Sequence, residues 1–192
     1  MNYDQLRHSL RGTLFELMRQ PQRAIAAYHD SFRANPRHAG TARTIAWLEA
    51  KRENWQEAER WFQQALAIEP DDGNTWFNLG YAQDKGGRDD DAMASLRRAS
   101  ELDPKNDRAW YGLGMVLARR GDHAGAAAAL NEAAQLQPMN GLAWYALGMA
   151  WYHCNAPEKV EQVIEHTLTH DPQTAHRLIR DTGRTDLAHL LP

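Results

Sequence analysis

Apolar residues along the chain recur three and four positions apart, as in Leu6, Leu10, Leu14 and Leu17, and polar breaks interrupt them at short intervals. That spacing is the mark of amphipathic helices with one buried stripe. Breaks fall near Gln20-Pro21, Asn54, Gly86-Gly87, Gly121-Asp122 and Asn155-Ala156-Pro157, all turn formers or helix stops. The pattern predicts an all-α chain built from successive pairs of helices.

The pairs repeat. Pro36, Pro70, Pro104, Pro138 and Pro172 stand 34 residues apart with no insertion between them. Placing this proline at position 32 defines units at 5–38, 39–72, 73–106, 107–140 and 141–174, followed by a tail at 175–192. Position 4 then holds Trp76, Trp110 and Trp144, position 7 holds Leu79, Leu113 and Leu147, and position 8 holds Gly80, Gly114 and Gly148. Position 20 is Ala24, Ala58, Ala92 and Ala126, breaking at Val160, and position 24 is Tyr28, Phe62, Leu96, Leu130 and Ile164. Small residues at 8, 20 and 27 let two helices approach closely, while bulky ones at 4, 7 and 24 fill the space that remains. A hairpin of this size cannot bury its own apolar face, so neighbours must stack. The first unit departs, with His8 and Arg11 at positions 4 and 7, as an end unit packed on one side does.

The period and the Trp, Leu-Gly, Ala, large-apolar and Pro positions resemble the tetratricopeptide repeat family. The resemblance implies a right-handed superhelical solenoid of five helix-turn-helix repeats, with a C-terminal cap formed by the tail and its Leu178, Ile179, Leu187, Leu190 and Leu191. It also implies where function lies, because the family lines its concave groove with positions 2, 5, 6, 9, 12 and 13 of each first helix. Those positions supply Arg43, Trp47 and Lys51 from the second unit, and Asn74, Phe77, Asn78, Tyr81 and Lys85 from the third. From the fourth come Arg108, Tyr111, Met115 and Arg119, and from the fifth Tyr145, Met149 and Tyr152. Aromatic, methionine and arginine side chains at such positions favour a segment of a partner protein with apolar and acidic residues. Two narrower versions of the resemblance fail. The carboxylate clamp for chaperone tails would have Trp47 in place of an asparagine and Gly112 in place of a cation, and an asparagine ladder would rest on Asn78 alone.

Composition adds exclusions. A formal net charge of −3 with mixed signs gives no electrostatic reason to expect nucleic acid or an anionic membrane as partner. The single Cys154 forms no internal disulfide and points to a reducing compartment, the cytoplasm. No stretch approaches the ~18 apolar residues of a membrane span. His166 and His170 lie four apart on one helix but lack further ligands, His153 and Cys154 point in different directions, and Gly86-Gly87 lacks the lysine and hydroxyl of a phosphate loop. No catalytic residue, metal or cofactor is expected. The reading is therefore a non-catalytic adaptor or assembly chaperone. Its alternatives are a secretion-type chaperone for apolar segments and a regulatory or substrate-presenting enzyme subunit. The leucines of the first helix add a route to self-association through the N-terminal end.

Overall fold

In a computed structural model the described residues are 3–190, with the backbone alone described for 188–190. Eleven α-helices lie among them: α1 (Tyr3–Leu17), α2 (Pro21–Ala34), α3 (Ala39–Lys51), α4 (Trp55–Leu66), α5 (Gly73–Lys85), α6 (Asp89–Leu102), α7 (Asp107–Arg119), α8 (His123–Leu136), α9 (Gly141–His153), α10 (Pro157–His170) and α11 (Pro172–Thr182). A 3-10 segment, Thr185–Leu190, follows. The helices pair as α1/α2, α3/α4, α5/α6, α7/α8 and α9/α10, and no strand occurs among the described residues. They belong to two compact units, Met1–Leu102 and Asp103–Pro192.

Local chemistry sets the helix ends. Asp72, Asn106, Asp122, Asn140 and Asp171 each accept a hydrogen bond from a first-turn amide of the helix that follows, satisfying donors that have no intrahelical partner. Pro21 and Pro157 start α2 and α10, where a missing N–H costs nothing. Between the two helices of every pair one residue is left-handed: Arg19, Glu53, Gly87, Gly121 and Asn155, with φ between 54° and 82°. Only Gly and Asn suit that conformation well, so Arg19 and Glu53 hold it against their side chains.

In the first unit, Ile25 and Tyr28 of α2 pack on Ile45 and Leu48 of α3, and Phe62 of α4 packs on Leu79 and Ala82 of α5. Gly12 sits beneath the Tyr28 ring, where a Cβ would come within 2.8 Å. His8 and Arg11 replace the usual apolar contact with a polar one: Arg11 Nη2 donates to Asp30 Oδ2 at 2.8 Å, and His8 Nδ1 lies 3.9 Å from the same oxygen. A buried polar network crosses α4, α5 and α6. Glu59, 5% exposed, accepts from Gln63, Gln83 and Arg88, and Gln83 in turn accepts from Ser95 at 2.7 Å.

In the second unit, a Cβ on Gly114 would lie 2.5 Å from Leu130 Cγ, so α7 and α8 approach through that glycine. The equivalent Gly148 instead faces Leu178 of α11, at 2.6 Å from Cδ2. α11 runs across the boundary drawn at 175. Asp171 caps α11, Pro172 opens it, and α11 packs on both α9 and α10. Arg184 ties the end of the chain to α10, donating to the Pro157 carbonyl and to Glu161 while also holding Asp186. Leu178, Ile179 and Leu187 are buried; Leu191 lies outside the described residues, as does the side chain of Leu190.

Candidate functional site

Groove positions on a first helix are those left over once its neighbours have taken the core stripe, and they separate into two groups. In the first unit, Trp47 and Tyr81 are roughly half exposed. Each carries a lysine one turn later over its ring: Lys51 Nζ is 5.0 Å from the Trp47 centroid and Lys85 Nζ 5.5 Å from that of Tyr81. Trp55 meets Tyr81 edge-on at 6.2 Å. Asn74 is exposed, while Phe77 and Asn78 are half-buried.

Arg43 has a different setting from the one its position suggested. Its guanidinium is held by Glu69 at 2.5 Å and Asp72 at 2.7 Å, across the loop that leads into α5. Burial would raise the Asp72 carboxyl, but hydrogen bonds from Thr75, Arg43 and the Asn74 amide outweigh it and hold it below the usual carboxylate range. Much of the Arg43 charge is therefore already met, and the residue fixes the loop.

The second unit gathers its candidates into a cleft of about 360 Å³. Tyr111 and Met115 from α7 face Leu142, Tyr145 and Met149 from α9, with Leu130 among the lining residues. Met115 and Leu142 are exposed large apolar side chains. Arg108 and Arg119 are exposed on α7, and neither lines the cleft. Tyr152 lies on a separate cleft with Asn155, Val160 and Arg184.

Position 13 of the fifth unit brings His153 to this cleft, but its stacking partner His123 and the residue Arg177 were not visible in the repeat pattern. His123 and His153 stack at its edge, ring centroids 4.6 Å apart, and His123 Nδ1 is buried with no hydrogen-bond partner among the described residues. Arg177, from α11, places its guanidinium 3.8 Å from the Tyr145 ring centroid. The Tyr145 hydroxyl donates to Asp181 Oδ2 at 2.8 Å, and burial followed by that bond pushes its pKa up. Arg177 sits at the third position of what would be a sixth unit. The apolar periodicity of the tail marked it only as a cap, and position 3 is not among the groove positions of the frame, so no signal in the repeat pattern pointed to Arg177.

Among the described residues no group of three or more His, Cys, Asp or Glu is placed to hold a metal ion. His166 and His170 stack face to face at 4.6 Å, and His170 Nδ1 lies 3.0 Å from the His166 carbonyl. No helix among the described residues is long and apolar enough to cross a membrane.

Comparison with known proteins agrees with this architecture. Family models described as tetratricopeptide repeat match residues 10–73, 43–107, 77–140 and 117–180. No curated protein matches the chain. Among solved structures the fold is similar to that of MamA (TM-score 0.80, 17% identity, covering 96% of each chain). It is also similar to YrrB, described as a TPR protein with an unusual peptide-binding site (0.76, 21%, 90% of each chain), and to PilF of Pseudomonas aeruginosa (0.71, 17%, 98% of this chain and 92% of that one). With consecutive helix pairs, glycines under bulky residues and family matches that run through nearly the whole length, the chain belongs to the tetratricopeptide repeat family.

Proposed function

We propose that this protein is a non-catalytic interaction module, an adaptor or assembly chaperone, whose first-helix faces take up a segment of a partner protein. The observation that carries the proposal is the second-unit cleft, where Tyr111, Met115, Tyr145 and Met149 converge around about 360 Å³ of space beside exposed Leu142. Apolar anchors entering such a pocket gain from burial, and methionines adapt to their shape. Trp47 and Tyr81 with their lysines offer a second aromatic and cationic surface in the first unit, suited to apolar and acidic residues of the same partner or another. The peptide-binding site of the similar YrrB supports a peptide-like ligand. The single, half-buried Cys154 fits a reducing compartment such as the cytoplasm.

Affinity capture from native lysate with wild type and a folded Tyr111→Ala, Met115→Asp variant tests this reading. A partner that follows wild type and is lost by the variant is the expected result; an unchanged set of partners contradicts it.

A second contact is favoured by α1. Position 10 is buried in every later first helix, with Leu48 4%, Ala82 1%, Val116 1% and Ala150 3% exposed, yet Leu14 at the same position is 54% exposed. Leu6, Leu10 and Leu17 are exposed beside it, so α1 offers a leucine face to a second copy or a partner helix. Sedimentation equilibrium of wild type against Leu10→Glu, Leu14→Glu tests self-association. A dimer that the variant abolishes is expected, and a wild-type monomer throughout contradicts it.

A further inference from the structure

Building on the proposed function, we infer that the second unit reads a two-part motif, an apolar anchor next to a carboxylate, and that α11 supplies the carboxylate half. The inference rests on two clefts that meet at one side chain. The apolar cleft described above is bounded by Arg177, and among its lining residues there is no Asp or Glu. On the other side of Arg177 lies a second cleft of about 480 Å³, lined by Gln173, His176, Arg177 and Arg180. A segment crossing Arg177 passes from aromatic and methionine side chains directly onto a basic surface.

Charge in this region is not self-cancelled. Asp181 is the carboxylate among these side chains, accepting from Arg180 Nε at 2.8 Å and lying 3.6 Å from Arg177 Nε. Two guanidiniums against one carboxylate leave a net positive charge. Asp181 is also drawn toward Tyr145, whose hydroxyl it accepts, while the Arg177 side chain remains about half exposed and that of Arg180 more so. Stacking on the Tyr145 ring fixes the Arg177 plane at the border of the apolar cleft, which prepares its outer edge for a carboxylate in paired hydrogen bonds. On this account α11 is a binding element as well as a cap, and the motif is defined by an acidic residue within a few positions of a large apolar one.

Selection of phage-displayed random peptides on the full chain, followed by affinity measurement of the recovered peptides, tests the inference. Peptides pairing Asp or Glu with a nearby Leu, Met, Phe or Trp are expected, with affinity falling about tenfold or more in Arg177→Gln, Arg180→Gln and partly retained in Arg177→Lys. Circular dichroism confirms that each variant is folded. Peptides that show no acidic preference, or that bind the double variant as well as wild type, overturn the inference; if Tyr111→Ala, Met115→Asp still abolishes their binding, the proposed function stands without it. Recovery of no peptide, or only of peptides indifferent to all these substitutions, overturns both.

Discussion

The indole Nε1 of Trp110 donates to the carbonyl of Pro104 at 3.0 Å, and the same bond joins Trp76 to Pro70 at 2.7 Å and Trp144 to Pro138 at 2.9 Å. The two residues that mark the repeat in the sequence are thus one contact. Proline stops the second helix, and its carbonyl, left without a helical partner, is satisfied by the next first helix. Trp110→Phe keeps most of the packing and loses the bond, so it should cost about 1 kcal/mol in urea unfolding. Trp47→Phe, at a half-exposed position, should change stability by no more than about 0.5 kcal/mol.

Close approach through glycine makes a second prediction. Gly114→Ala would set a Cβ against Leu130, with Leu130 Cδ2 at 2.9 Å and the Ala126 carbonyl at 3.2 Å as further neighbours. The expected loss is about 2 kcal/mol. In a Leu130→Ala background the same substitution should cost much less, and a double-mutant cycle that finds the two effects additive would contradict the packing described.

Glu53 points the other way. Its φ of 59° lies in the left-handed region, at the position where other turns place Gly87, Gly121 and Asn155. Glu53→Asn should raise stability by about 1 kcal/mol, measured by thermal unfolding. A lowered midpoint would mean that the Glu53 side chain makes a contact worth more than its backbone strain.

These cases also show how much was legible in the sequence. The helix pairs, their turns and the identity of the close-approach glycines follow from periodicity and side-chain size, because stacking identical units forces identical solutions. The left-handed turns at Arg19 and Glu53 carry no glycine signal, so only their register against Gly87 and Gly121 reveals them. Arg43 was read as a groove cation because position does not disclose that Glu69 and Asp72 lie across the next loop. Gly148 shares its repeat position with Gly80 and Gly114, which face their own second helices, but α11 fills it with Leu178 and also brings Arg177 to the cleft, which the shared position does not disclose.

Two histidines give a pH dependence of defined sign. Burial, chiefly, lowers the pKa of His29, which packs edge-on against Trp61 at 4.9 Å, and also that of His166, which His170 lowers further. Unfolded imidazoles bind protons near pH 6.5 and the folded ones only below that, so the unfolded state takes up more protons in between. Their contribution to stability is complete above about pH 6.5 and is lost as the pH falls toward the folded values. Urea midpoints should therefore decline across this window, and His29→Gln should flatten the decline. An equal slope in the variant would assign it to other groups.

The central claim, that partners dock on the first-helix faces, is tested most directly by site-specific photo-crosslinking in native lysate. Benzoylphenylalanine is placed at Tyr111 or Met115 on α7, and at the exposed Ala128 or Glu132 on α8 as a comparison. Crosslinks to one partner from the α7 positions, absent from the α8 positions, are the predicted result; crosslinks from α8 alone would contradict the claim and move the docking surface to the second helices.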